Sequence, residues 1–232
     1  MTQALHIRYR FDLPDGSKKY VDLNFAAADF RLTNPAPADP PFWTELKFNQ
    51  CANCPLNAAE HTHCPSALHM APVVESLKAL VSFDTVGVTV TQPERAVHAE
   101  TTAQQAMSSV LGLIMATSGC PWTDRLRPMA RFHLPFASEA ETVFRTVCMF
   151  LLARELVGVG EAPGFESLKV LYENLHVVNR DMSRRLGAAT RTDPARNAVA
   201  LLDTYTTLLP AALDSSLEEL KPLFDAWRGT RI

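Results

Sequence analysis

The sequence predicts an α+β fold, in which a small antiparallel sheet from the N-terminal half packs with a mainly helical C-terminal half. Before residue 102, several segments alternate apolar and polar side chains, as half-buried strands do. After residue 102, the apolar side chains recur at helical spacing. Strands first and helices after are typical of α+β proteins. We predict a single domain over residues 1–232, with a strand-rich part at 1–101 and a helical part at 102–232.

Two pairs of strands are predicted in the first part. HIRYRFDL and KKYVDLNF flank the turn sequence PDGS, which indicates an N-terminal hairpin. SFDTVGVTVTQ and ERAVHAETT form the second pair, in which the valines at 86, 88 and 90 alternate with polar residues or glycine. Between the pairs, prolines at 35, 37, 40 and 41 predict an extended connector. A helix over 66–81, bent at Pro72, follows this connector.

The second part predicts four longer helices. QQAMSSVLGLIMATSG ends at Gly119, and Ser138 with Glu141 forms a capping box before TVFRTVCMFLLAREL. PGFESLKVLYENLHVVNRDMSRRL is amphipathic, and Asp193 with Pro194 begins the next helix. A separate last helix is predicted over 216–227, kinked at Pro222, and CPWTDRLRPMARFHLPF is predicted to be an irregular loop.

Composition limits the class of protein. The chain has 232 residues, of which 47% are hydrophobic and 20% charged, as in folded globular proteins. A net charge of −3 provides no field that would attract nucleic acid or a membrane. No segment reaches the roughly twenty apolar residues of a membrane span, and the N terminus has no apolar run flanked by basic residues. We therefore expect a cytoplasmic protein whose partner is another protein or a redox partner, in an oligomeric state that the sequence leaves open.

The segment QCANCPLNAAEHTHCPSALH, residues 50–69, holds three of the five cysteines and three of the seven histidines. Cys51 and Cys54 form a C-x-x-C motif, which directs two thiolates at one site across a tight turn. Cys64 follows after nine intervening residues, and Cys120 lies in another predicted turn, SGCPW. Cys148 lies within an apolar helix and is predicted to be a buried core residue. The other four cysteines predict a metal site with four thiolate ligands.

The chemistry of four thiolates allows more than one occupant. Cys54, Cys64 and Cys120 are each followed by proline rather than the glycine of many zinc knuckles, which favours an iron–sulfur cluster in a redox or sensing role. A structural zinc ion in a regulatory or interaction module is the first alternative. A metalloenzyme that uses His61, His63 or His133 for proton transfer is the second. A haem held by a thiolate, and cysteines without any ligand, are further alternatives.

Histidines and arginines accompany the cysteines. His61 or His63 would complete a site of three cysteines and one histidine if Cys120 lies elsewhere, and otherwise His63 would support the thiolates as a neighbour. Arg127, Arg131 and His133 follow Cys120 and would bind or stabilise an anionic centre. A second arginine group is predicted to lie on solvated faces, paired with acidic residues: Arg180, Arg184, Arg185, Arg191 and Arg196.

The sequence contains none of four familiar enzyme motifs. The P-loop, the dinucleotide-binding glycine motif, H-E-x-x-H and G-x-S-x-G are all missing. Whether the protein is an enzyme is therefore left open by the sequence.

Two blocks, LKFNQCANCPLNAAEHTHCP and TSGCPWTDRLRPMARFHLPFASEAETVF, resemble those of an uncharacterised bacterial domain family of unknown function. The resemblance covers residues 1–190 and implies no activity. It does favour taking Cys51, Cys54, Cys64 and Cys120 together.

Overall fold

The computed structural model describes residues 5–159, 164–189 and 193–227, and it confirms the α+β prediction. Arg191 lies outside these ranges. The strands are β1 (Leu5–Asp12), β2 (Lys18–Phe25), β3 (Thr85–Thr91) and β4 (Ala96–Thr102). The helices are α1 (Pro65–Ser76), α2 (Ala103–Thr117), α3 (Arg127–Arg131), α4 (Glu139–Val157), α5 (Glu166–Ala189) and α6 (Pro194–Leu220). Single 3-10 segments cover Phe42–Thr44, Thr123–Leu126 and Lys221–Trp227.

The four strands form one antiparallel sheet in the order β2-β1-β3-β4. Both predicted strand pairs are confirmed, and β1 joins them by pairing with β3. Alternate side chains of β1 and β3 are buried on one face, as the period of two predicts. These core side chains are Ile7, Tyr9, Phe11, Val86, Val88 and Val90.

Helix α2 joins the sheet to the helical half of the core. It is buried on most of its surface, and it packs against β3, β4, α1 and α6. Thr102, at the end of β4, accepts a hydrogen bond from Gln105 N and so begins α2 directly after the strand. Helices α5 and α6 then pack along each other. None of the helices in the described ranges is long and apolar enough to cross a membrane.

Several helix boundaries differ from those predicted. The capping box of Ser138 and Glu141 is confirmed at the start of α4. The loop after Cys120, predicted to be irregular, contains a 3-10 turn and α3, and both pack against α2. The separate helix predicted over 216–227 is wrong, since α6 continues to Leu220 and a 3-10 segment follows. Asp193 does not cap α6 with its side chain and instead accepts hydrogen bonds from Ser82 N and from Asn197.

The prediction that Cys148 is a buried core residue is wrong, because its side chain is exposed. Helix α4 is apolar on two sides, so its sequence alone does not tell which side is buried. The structure buries the side that carries Val143, Val147 and Phe150. Cys148 lies on the other side, together with the exposed Leu152.

We expect Leu111→Ala to lower the free energy of unfolding by about 2–5 kcal/mol, because it leaves a cavity in a fully buried part of α2. Leu156→Ala is the matched control, since Leu156 is 71% exposed on α4, and it should change stability by less than about 0.5 kcal/mol. Urea unfolding measures both values. Equal effects of the two substitutions would contradict the assignment of α2 to the centre of the core.

Candidate cysteine centre

The C-x-x-C loop is held in place by helix α5. Cys54 N donates to Cys51 O at 3.0 Å, which closes the turn between the two cysteines. Within that turn, Ala52 N donates to Asp181 Oδ2 at 2.8 Å. Asn53 Nδ2 donates to the backbone and side-chain oxygens of Asn174. Two residues on α5, about two turns apart, therefore hold the two residues that lie between the cysteines.

Cys120 reaches this loop through the residue two positions after it. Trp122 Nε1 donates to Asn53 O, between Cys51 and Cys54, at 2.8 Å. Asp124 N donates to Cys120 O at 2.9 Å, which closes a turn on the other side of the cysteine. The Arg125 guanidinium lies 4.7 Å from the centroid of the Trp122 ring. These contacts join two segments that are far apart in sequence.

Cys64 approaches Cys120 because the start of α1 is joined to the end of α2. Ser66, two residues after Cys64, shares a hydrogen bond of 2.9 Å with Ser118, two residues before Cys120. Cys64 N donates to Thr44 O at 2.8 Å, which ties α1 to the 3-10 turn at 42–44. Cys64 itself is the residue that precedes the first turn of α1, and it is buried.

The four thiols are electrostatic neighbours. Burial raises the pKa of Cys51 to about 12, and the nearby Cys64, Cys120, Asp181 and Cys54 contribute to this rise. All five cysteines are free thiols. In the described part of the chain, no group of three or more His, Cys, Asp or Glu side chains is arranged to hold a metal ion. The thiols therefore share one region without the close convergence that a single ion requires.

A buried arginine lies beside this region. Arg185 Nη1 donates to Trp43 O and Glu45 O, both at 2.7 Å, and its Nη2 donates to Leu46 O at 3.2 Å. The residue is 1% exposed, Nε has no hydrogen-bond partner, and no carboxylate of the described residues pairs with the guanidinium.

The charge of Arg185 acts on Cys64. Burial raises the pKa of Cys64, while the N–H of Ala67 and then the guanidinium of Arg185 lower it. The sulfur nevertheless makes no capping hydrogen bond to α1.

The prediction that Arg185 lies on a solvated face is wrong, because the residue is buried. The position of Arg185 within the helical repeat of apolar residues could have predicted this burial. Val178, Met182 and Arg185 follow one another at helical intervals along the apolar side of α5. An arginine on such a stripe is buried, and its charge must be met by neighbouring groups. Arg180 and Arg184 do agree with the prediction, because both are exposed and pair with Asp181.

The side chain of Asp181 is fully buried, and two exposed arginines, Arg180 and Arg184, pair with it. Desolvation raises its pKa, but the hydrogen bond from Ala52 N, followed by Arg180 and Arg184, lowers the pKa below its ordinary value overall. Asp181 is thus an ionised carboxylate that holds the C-x-x-C loop by a charge-assisted hydrogen bond.

The predicted histidines have separate contacts. His63 Nδ1 shares a hydrogen bond of 2.9 Å with Thr44 Oγ1. The carbonyl of Thr44 also accepts the hydrogen bond from Cys64 N. His61 is exposed. His133 is in contact with Tyr9 of the sheet through Nε2, and its carbonyl accepts a hydrogen bond from Gln92. Of these three histidines, His63 is the one bonded to a residue that also holds a cysteine.

The predicted arginines of the loop after Cys120 pair mainly with acidic and aromatic residues. Arg127 lies 3.3 Å from Asp124 and 3.7 Å from Asp29. Arg131 lies over the rings of Phe30 and Phe132. In the described residues the buried cation beside the thiols is therefore Arg185 rather than either of these.

The fold and the site define an α+β domain with a group of four neighbouring cysteines. Residues 7–225 match a domain of unknown function, DUF6901, and the chain belongs to that family. This confirms the resemblance to a family of unknown function and extends it beyond residue 190 through α6. No curated protein and no solved structure matches the chain.

We expect iodoacetamide to label Cys148 well before Cys51 and Cys64 in reduced protein that has been treated with a chelator. The thiolate is the reactive form, and a raised pKa leaves little thiolate at about pH 8, whereas Cys148 is exposed. Peptide mass spectrometry after short labelling times measures each rate. Labelling of Cys51 as fast as that of Cys148 would contradict the described burial.

We expect the stability of the wild-type protein to fall as pH decreases from about 6.5 toward 3, in part through His133. Burial, and then the charge of Arg145, lowers the pKa of His133 to about 3. The unfolded chain takes up this proton near about pH 6.5, so acid favours unfolding. In urea unfolding at pH values from about 7.5 down to about 5, His133→Gln should lose less stability than wild type, and the exposed control His61→Gln should follow wild type. An unchanged pH dependence in His133→Gln would refute this role.

Proposed function

We propose that this protein holds an iron–sulfur cluster through Cys51, Cys54, Cys64 and Cys120, and that it acts in electron transfer or sensing with a redox partner in the cytoplasm. The observation that carries the proposal is the grouping of these four thiols beside the buried Arg185. Cys51, Cys54 and Cys120 lie in turns held by side chains of other elements, so the residues are fixed before any ligand binds. Such preorganisation favours a bound centre over chance proximity.

The sequence around the thiols favours a cluster over a single zinc ion, because Cys54, Cys64 and Cys120 are each followed by proline. Zinc binds four sulfurs at about 2.3 Å, so all four must lie very close together. In a four-iron cluster each cysteine binds a different iron, which keeps the sulfurs further apart. A cluster can therefore be held by a wider grouping of thiols than a single zinc ion can.

The charges around the thiols also fit an anionic centre. Four thiolates carry more negative charge than the core of such a cluster carries positive charge, so the ligated cluster is an anion. A buried guanidinium whose hydrogen bonds among the described residues go to carbonyls, with no carboxylate paired to it, would be stabilised by that anion. A nearby positive charge also favours the reduced, more negative state of a cluster, so Arg185 would raise its reduction potential.

Ligation must displace protons from these thiols. Because the pKa of Cys51 is raised to about 12, the free thiol is neutral at physiological pH. Assembly of the cluster would therefore release protons and would be favoured by higher pH.

The test is anaerobic purification followed by reconstitution with iron and sulfide. We expect absorbance near about 400 nm, together with iron and acid-labile sulfide, as for clusters ligated by cysteine. Serine substitution of Cys51, Cys54, Cys64 or Cys120 should each reduce the bound iron several-fold. Cys148→Ser is the matched control and should leave the iron content unchanged, because Cys148 is exposed on α4.

The alternative outcomes separate the possibilities. One zinc ion without sulfide, lost in the four serine variants, would overturn the cluster and establish the structural zinc alternative. No bound metal under any of these conditions, or loss of iron in Cys148→Ser alone, would overturn the metal centre altogether. The fold of each variant is checked by circular dichroism.

A further inference from the structure

A pocket of about 510 Å³ lies between the helices and the edge of the sheet, apart from the cysteine centre. Residues of α2 to α6 and of the edge strand β4 line it, and none of the four cysteines does. Its volume is in the range of pockets that enclose drug-sized ligands.

Most of the pocket wall is apolar. Its apolar lining comes from helices and the 3-10 turn after Cys120, and includes Leu113, Met115, Leu126, Met129, Leu175 and Leu202. Leu113, Met115 and Leu175 also belong to the buried core, so this wall is part of the packed interior. Such a surface favours a ligand with an apolar body.

One corner of the pocket carries a positive charge. Arg145, on α4, lines the pocket, and its Nη2 donates to Met129 O at 2.9 Å and to Phe132 O at 2.8 Å. No carboxylate of the described residues forms an ion pair with it, and its Nε and Nη1 make no hydrogen bond there. The Glu141 carboxylate accepts a hydrogen bond from Ser138 N in the capping box. It influences Arg145 electrostatically without forming an ion pair with it.

A neutral hydrogen-bonding group lies next to this charge. His133 lines the pocket, and Arg145 is near enough to lower its pKa in addition to the larger effect of burial. Its Nε2 is bonded to Tyr9 OH, which also contacts Ser109 Oγ at 2.9 Å. The other ring nitrogen, Nδ1, has no hydrogen bond within the described residues and remains for a ligand.

The acidic groups of the pocket are few. Glu100 is the one carboxylate among the described lining residues, and it is exposed on β4. The buried part of the pocket is therefore cationic at one corner and mainly apolar elsewhere, with neutral polar groups such as Ser109 and Asn179 between, which complements an anion with an apolar body.

We propose that this pocket binds a small monocarboxylic acid with an apolar body, whose carboxylate accepts hydrogen bonds from Arg145 and His133. The body of the ligand lies along the leucine and methionine side chains. Free N–H groups of a partly buried guanidinium make strong charge-assisted hydrogen bonds to a carboxylate. This binding does not depend on the cysteine centre, because the two sites share no residue.

The test is isothermal titration of the full chain with three probes: decanoate, decan-1-ol and acetate. Decanoate should bind at least about tenfold more tightly than decan-1-ol, the ratio expected for hydrogen bonds to a charged group. Acetate, which lacks the apolar body, should bind at least about tenfold more weakly than decanoate. Equal binding of decanoate and decan-1-ol, or no binding of decanoate, would overturn the proposal.

Two variants then locate the binding. Arg145→Gln should abolish the preference for decanoate over decan-1-ol, while Arg154→Gln, on the same helix but outside the pocket, should retain it. If Arg145→Gln unfolds, Arg145→Lys keeps the charge and should retain part of the preference. A preference that survives intact in folded Arg145→Gln would place the carboxylate elsewhere and refute the assignment.

Discussion

The hydrogen bonds from the buried Arg185 guanidinium hold together parts of this protein that are far apart in sequence. Three carbonyls of the segment 43–46 accept from one side chain on α5. That segment also carries Thr44, whose carbonyl binds Cys64 N at the start of α1. Without the guanidinium the carbonyls of the buried Trp43 and Leu46 would lose this hydrogen bond, which is costly in free energy. The C-terminal end of the proline-rich connector is therefore held by Arg185, although this segment contributes no strand and only a short 3-10 turn.

Helix α5 organises the cysteine region from a single face. Asp181 and Arg185 lie one turn apart, one as an anion that holds the C-x-x-C loop and the other as a cation that holds the segment 43–46. Asn174, two turns earlier, holds the same loop through Asn53. The polar side chains on this face of α5 thus form their hydrogen bonds with loops. These bonds in turn hold each loop in one position.

Two different environments lie on the same helices. Toward the end of α2, Ser118 joins α1 and so supports the cysteine region, whereas Ser109 and Leu113 face the pocket. Cationic groups serve both environments, since Arg185 lies beside the thiols and Arg145 lies at the corner of the pocket. In each case the guanidinium is bonded to backbone carbonyls rather than to a carboxylate of the described residues. The carbonyl dipoles meet the charge in each case, so neither cation needs a carboxylate of the described residues to satisfy these N–H groups.

The sequence by itself determined the local structure, because strand alternation, turn residues and capping residues act over a few positions. Both hairpins, the helix α2 and the Ser138–Glu141 box followed from such signals. Tertiary structure decided which side of α4 is buried, since both sides are apolar, and so exposed Cys148. It also brought Cys120 to the C-x-x-C loop through Trp122, and it buried Arg185 rather than Arg184. These outcomes depend on contacts between residues far apart in sequence, which no local pattern encodes.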